Sequence, residues 1–353
     1  MKLKYLLILP VLLLILLLFS GAEMPWVYAL EQPEAPSLVL SGELFRAPTE
    51  PPTEPPTEPT LPDFQIEPLE GWSEMLYDRE MTASAYFIYD LTLDRFMLLS
   101  HDDPDYIVFP ASITKLFTAH VALHYIDPQD QVTVTSEMLA LVHPDSSILG
   151  VAPGDVLTAE QLVAGMMMPS GNDATMVLAT AVGRRLASES DYPAADAVEL
   201  FMHRMNAHAR VEGWEGCNFV TPDGMHSPYH HVSFSAVVQI AKAVMADPVI
   251  SKYIGMQTTT LPATYRYGLE VKNTNALLHP DSPYYCPYAA GMKTGYTDAA
   301  GNCLVSLFRV DGYDFLIGVF GCKASEDRFA ESLLLFSQAV GMQISDPATS
   351  EAA

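Results

Sequence analysis

Three short strings in this 353-residue chain hold side chains able to carry out acyl transfer. Ser112-Ile113-Thr114-Lys115 sets a hydroxyl three residues before an amine. Ser170-Gly171-Asn172 adds a second hydroxyl and a carboxamide. Lys293-Thr294-Gly295, followed by Tyr296, adds a second amine and a glycine. A serine hydroxyl is a poor nucleophile until a base takes its proton. No histidine stands beside Ser112 in sequence, so Lys115 is the candidate base. A free lysine is protonated near neutrality, and burial or a second cation such as Lys293 lowers its pKa. The chemistry then reads as follows. Ser112 attacks a carbonyl with Lys115 as base, and Ser170 relays the proton to the leaving amine. Asn172 bonds the substrate amide, while Lys293 and Thr294 hold a terminal carboxylate. Backbone N–H groups of Ser112 and Tyr296 receive the oxyanion.

These strings need elements that aim them into one cleft. Ser112 opens an apolar run, Ile113 to Leu123, that reads as a buried helix, with Ser112 and Lys115 on one face at i and i+3. The positive end of that helix favours developing negative charge. Thr158-x-x-Gln161 is a capping box that starts a helix to about Met168, whose three-methionine run, 166–168, reads as core packing. Pro169 and Gly171 break the chain, and Ala174 to Val182 reads as the next helix, leaving Ser170 and Asn172 on a tight connection. Ala290–Thr297, Leu304–Val310 and Phe315–Phe320 read as strands, with a hairpin turn within Asp311–Asp314. Gly295 is expected to leave room for a substrate backbone. Ala85–Asp90 and Phe96–Ser100 read as two further strands of the same antiparallel sheet. A last helix is expected to run from an N-cap at Ser325 to about Gln338. The fold class is α+β: an antiparallel sheet packed with helices beside a mostly helical region, with the cleft where the two meet.

The strings resemble the D-alanyl-D-alanine carboxypeptidases, the low-molecular-mass penicillin-binding proteins of serine peptidase family S11, over about Ala83 to Gly341. The likeness rests on Ala111–Leu116, Met168–Ala174 and Gly291–Gly301. Phe219–Met225, Asn273-Thr274-Asn275 and the Pro153-Gly154-Asp155 turn add to it. It implies a β-lactamase/transpeptidase-like fold and removal of the last D-alanine from peptidoglycan stem peptides. It also implies acylation of Ser112 by β-lactams, with no cofactor and no metal. Tyr296 stands where many members have histidine, and only Gln343 to Ala353 follow the last expected helix, too little for the family's second domain or C-terminal anchor. A class A β-lactamase is the alternative. It would normally carry Ser-Asp-Asn and a glutamate with asparagine four residues on, and no such pair lies between Glu189 and Glu215. A penicillin-binding sensor without turnover and a non-catalytic wall-binding protein are the other readings.

Composition fits export. Lys2 and Lys4 precede an apolar run, Tyr5 to Phe19, and small residues follow at 20–22, so 1–22 reads as a signal peptide or an uncleaved anchor. Residues 23–70 read as a disordered linker, with Pro-Pro-Thr-Glu repeated at 51–58 favouring extended polyproline II. Residues 71–342 form the catalytic domain and 343–353 a flexible acidic tail. The formal net charge of −25 argues against nucleic-acid binding, and membrane contact is expected only through an uncleaved N-terminal segment. Cys303 and Cys322 would face each other if Gly312-Tyr313 formed a two-residue loop, but one bulge would undo that register, so free thiols are expected. His226, His230 and His231 cluster near Tyr229 with no carboxylate or cysteine to complete a ligand pattern, so no metal is expected there.

Overall fold

Two apolar runs meet at Asp311-Gly312, whose φ angles of +47° and +82° fit the two-residue hairpin loop that matches strand twist. In the computed structural model, which describes residues 80–345 apart from 145 and 262–267, that hairpin lies within a five-stranded antiparallel sheet. Its strands are β1 (Ala85–Asp90), β2 (Arg95–Leu99), β3 (Ala289–Thr297), β4 (Gly301–Val310) and β5 (Tyr313–Cys322), in the order β2-β1-β5-β4-β3. The expected leader at 1–22, the linker at 23–70 and the end of the 343–353 tail lie outside the described residues.

Both faces of the sheet are covered, which is why β4 and β5 read as continuous apolar runs. Cys303, Val305, Leu307, Leu316 and Phe320 face the larger core, shared with the helical region. Leu304, Phe308, Phe315, Ile317 and Val319 face a second core. The helices are α1 (Thr114–Leu123), α2 (Ala159–Met167), α3 (Asn172–Ala187), α4 (Ala194–Val211), α5 (Phe234–Ala246) and α6 (Asp327–Ser345). The first five build the helical region. From α6, Phe329, Leu333 and Phe336 close the second core, with Phe336 stacked on Phe308 at 4.3 Å. Glu331 of α6 is fully buried and accepts the backbone N–H groups of Thr82 and Ala83, tying the chain's entry to the sheet.

The loop is Asp311-Gly312 rather than Gly312-Tyr313, so Val310 pairs with Tyr313. A bulge between Asn302 and Leu304 then sets Cys322 opposite Asn302. Cys303 and Cys322 therefore face different cores, and both are free thiols. The last helix runs on to Ser345, past the expected end at Gln338 and into the segment assigned to the tail. Ser325 Oγ accepts from Arg328 Nη2, a side-chain contact in place of the expected cap. Thr158 and Gln161 do form the capping box, and Met166, Met167 and Met168 are fully buried. Among the described residues no single helix is long and apolar enough to cross a membrane; α5 and the helix Pro248–Ile254, bent by 106°, place Val237, Ile240 and Ile250 in the core.

Candidate active site

Ser112 sits on a single 3-10 turn, Ala111–Ile113, that leads into α1. Ala111 enters it with φ of +48°, a backbone state that non-glycine residues adopt rarely. Lys115, the second residue of α1, is 0% exposed. Its Nζ lies 2.8 Å from Ser112 Oγ and 2.7 Å from the carbonyl oxygen of Asp223. Burial lowers the Lys115 pKa to about 8, against the opposing pull of Asp223 and Asp173. One helical turn thus places the hydroxyl and the amine within proton-transfer reach.

The segment that presents Asp223 is itself anchored to α1. Thr118 Oγ1 donates to the carbonyl of Pro222 at 2.6 Å. His230 Nδ1 accepts from the backbone N–H groups of Val220 and Thr221, so its Nε2–H donates to Thr114 Oγ1 at 2.8 Å. Burial, the neighbouring histidines His231 and His226, and Lys115 lower His230 to about 4. His230 is a buried strut. Gly224 takes φ of +84°, and a Cβ there would sit 1.9 Å from the carbonyl oxygen of Ala111.

Ser170 has φ of +62° on the connection between α2 and α3, and Asn172 is the first residue of α3. The connection is held on both sides. Gly171 N donates to Gly165 O and Asn172 N to Ser147 O, each at 2.8 Å. Both carboxylate oxygens of buried Asp173 accept backbone N–H groups from Leu149, Gly150 and Val151. A Cβ on Gly171 would meet Gly165 O at 2.8 Å and Leu149 N at 2.9 Å, so the middle residue has no room for a side chain.

β3 is an edge strand and brings Lys293, Thr294, Gly295 and Tyr296. A Cβ on Gly295 would lie 2.9 Å from Pro110 O and 3.2 Å from Ser112 N. The glycine makes room for the nucleophile's own turn, and it also lines the cavity described below. Thr294 Oγ1 shares a 2.6 Å hydrogen bond with Thr274 Oγ1. Lys293 is 1% exposed, and its Nζ donates to the carbonyl of Thr294 at 3.2 Å. Burial, Lys115 and Arg328 push the Lys293 pKa well below the ordinary lysine value. Tyr296 is 56% exposed and donates to Asp298 Oδ1.

A cavity of about 190 Å³ joins Ser112, Ser170, Asn172, Thr294, Gly295 and Tyr296. Lys115 and Lys293 lie behind its wall. Two residues that sequence reasoning missed also line it: Thr274, which no role was given, and Arg328. Arg328 donates from Nη1 to Gly295 O at 3.1 Å and from Nη2 to Ser325 Oγ at 3.0 Å, while its buried Nε has no partner among the described residues. Among the described residues lining the cavity the cation is Arg328, and Lys293 is not in the lining.

A family model described as D-alanyl-D-alanine carboxypeptidase matches residues 73–323. DacF of Bacillus subtilis is 25% identical over 225 residues, 63% of this chain and 53% of that one. DacB2 of Mycobacterium tuberculosis is 30% identical over 225 residues, 63% of this chain and 69% of that one. This chain thus spans little more than half the length of the first of these relatives. The crystal structure of the Streptomyces K15 DD-transpeptidase has the same fold, with a TM-score of 0.64 at 23% identity, covering 74% of this chain and 98% of that one.

Proposed function

We propose that this chain, which belongs to the D-alanyl-D-alanine carboxypeptidase family, removes the terminal D-alanine from peptidoglycan stem peptides through an acyl-enzyme on Ser112. One observation carries the reading: a fully buried lysine amine lies 2.8 Å from a serine hydroxyl at the wall of a polar cavity. Ser112 Oγ attacks the carbonyl carbon between the two D-alanines as Lys115 takes the hydroxyl proton. The oxyanion rests on the backbone N–H groups of Ser112 and Tyr296. Collapse breaks the C–N bond, and the departing amine takes a proton through Ser170. Water, deprotonated in turn, releases the shortened peptide and restores Ser112. Asn172 bonds the substrate amide, and the free edge of β3 at Gly295 and Tyr296 lies alongside the peptide. A β-lactam presents the same amide and carboxylate, but its leaving amine stays attached and obstructs water, so Ser112 remains acylated.

The terminal carboxylate is assigned to Thr294 and Arg328, in place of the Lys293 read from sequence, because Arg328 is the cation in the cavity wall. Lys293 is buried behind Thr294, and burial, Lys115 and Arg328 push its pKa well below the ordinary lysine value. Arg328→Leu is expected to lower kcat/KM about 10- to 100-fold on a D-Ala-D-Ala peptide, the worth of one charge-assisted hydrogen bond. A substrate ending in a carboxamide should show no such drop. Equal losses on both substrates would remove Arg328 from carboxylate binding.

Among the residues lining the cavity the one carboxylate is Asp223, and no glutamate is there to activate a deacylating water as in a class A β-lactamase. Since peptidoglycan lies outside the cytoplasm, the enzyme acts there, exported by residues 1–22 and touching the membrane only if that segment stays uncleaved. Mass spectrometry of stem peptides after incubation with the protein tests the activity. Loss of one alanine mass from pentapeptides is expected. Intact pentapeptides together with rapid nitrocefin turnover would reverse the assignment in favour of a β-lactamase.

A further inference from the structure

The helix that presents Ser112 and Lys115 ends in two histidines, His120 and His124, spaced i and i+4 on one face. His208, near the end of α4, joins them from another part of the chain. Each ring offers one nitrogen, and the three nitrogens lie within 4.8 Å of one another. The ring centroids are 4.7, 4.9 and 5.3 Å apart.

The hydrogen bonding of the rings suits ligation. His124 Nδ1–H donates to the carbonyl of His120 at 2.8 Å, which leaves a lone pair on Nε2. A backbone carbonyl on the far ring nitrogen is the usual orienting partner of a metal-bound imidazole. His120 Nδ1 is buried and has no hydrogen-bond partner among the described residues, an arrangement that costs free energy unless something satisfies it. Phe117 and Trp214 wall the group, with Trp214 6.1 Å from both His120 and His208. His124 is exposed, which gives an ion a way in. Asp247 and Glu212 add negative charge nearby without bonding the rings.

We propose that His120, His124 and His208 form a three-imidazole site for a late first-row divalent ion, Zn²⁺ first among them, with water as the remaining ligand. Neutral imidazoles suit Zn²⁺, Cu²⁺ and Ni²⁺ and disfavour Mg²⁺ and Ca²⁺. Nitrogens around a tetrahedral ion lie ~3.4 Å apart at Zn–N bonds of ~2.05 Å. Closing the site therefore takes side-chain rotations of about 1 Å, which exposed His124 can supply. The ion would tie the end of α1 to the end of α4 and brace the helix that holds the nucleophile and its base.

The test uses the full chain stripped of metal, titrated with Zn²⁺ by calorimetry and with Cu²⁺ by fluorescence. We expect one Zn²⁺ per chain at micromolar affinity or tighter, quenching of Trp214 by Cu²⁺, and no heat with Mg²⁺. Zn²⁺ at a hundredfold over its Kd should raise Tm by ~5 °C. His124→Ala and His208→Gln should each weaken binding at least ~10-fold. His203→Ala, an exposed histidine of α4 outside the group, should bind as the parent does. Circular dichroism identifies any variant that fails to fold, and His124, being exposed, leaves the core intact when removed. No binding below millimolar Zn²⁺ would overturn the site. So would unchanged affinity in both folded variants, or loss of binding on His226→Ala instead.

Discussion

Ser112→Ala is expected to abolish covalent labelling by fluorescent penicillin and to lower D-alanine release by ~10⁶-fold, the scale on which removing a serine nucleophile acts in other serine hydrolases. Four serines line the cavity: Ser112, Ser146, Ser147 and Ser170. Among the described residues only Ser112 has a lysine amine at its hydroxyl, at 2.8 Å. Ser146 Oγ is buried without a partner among the described residues, and Ser170 is held on a strained turn at the cavity. The substitution removes one oxygen from a half-buried site. Lys115 Nζ keeps the carbonyl of Asp223 at 2.7 Å, so the fold should survive and Tm should move by only a few degrees. Loss of label with an unchanged circular dichroism spectrum is the expected result. Label that persists at parental rates would assign the nucleophile to another serine, Ser170 first. Ser170→Ala should differ in kind: acylation slows because the leaving amine lacks its proton relay, but label still accumulates on Ser112.

The parts of this site that were legible in the sequence are those set by local rules. Ser112 and Lys115 share a face because i and i+3 always do on a helix. Thr158 and Gln161 mark the start of α2 by a reciprocal hydrogen bond that two residue types suffice to write. The strands around Asp311-Gly312 follow from apolar runs broken by a pair of residues suited to positive φ. Long-range contacts left no such mark. Arg328 lies 33 residues beyond Gly295 in an unremarkable helix start, yet its guanidinium reaches the Gly295 carbonyl. Gly295 packs against Pro110 and Ser112, a contact that no spacing encodes. The loop at Asp311-Gly312, one residue earlier than the expected Gly312-Tyr313, takes Cys322 out of register with Cys303, and the bulge at Asn302–Leu304, which contains no glycine or proline, turns the two thiols to different cores. His120 and His124 show the i, i+4 spacing of a helical ligand pair, a signal open to sequence reading. Their third partner comes from α4, more than eighty residues on, and needs the fold to supply it.

Lys115→Met should slow acylation of Ser112 by ~10³-fold or more while leaving the protein at least as stable, because the amine serves chemistry at the expense of the fold. Methionine keeps an unbranched chain of similar length in the space the lysine fills. The parent amine is fully buried, and burial holds its pKa at about 8 against 10.5 for an exposed lysine. The sign follows from proton counting. Between pH 8 and 10.5 the unfolded chain binds more protons at this residue than the folded one does, so stability rises with pH across that window. Below pH 8 the folded state carries the full cost of a buried ammonium, about 3 kcal/mol by the same pKa difference. Lys115→Met removes both the cost and the slope, and thermal melts at several pH values measure them. Catalysis runs on the same titration. Only the neutral amine accepts the Ser112 proton, and at pH 7 it is roughly one molecule in ten. Acylation by the parent should therefore climb ~10-fold per pH unit below pH 8 and level off above it. Lys293→Gln should leave both the midpoint and the shape of the profile intact, since burial, opposed by Asp223 and Asp173, sets the Lys115 pKa. A flat profile between pH 6 and 8, or acylation of Lys115→Met at the parental rate, would mean that some other group takes the proton from Ser112.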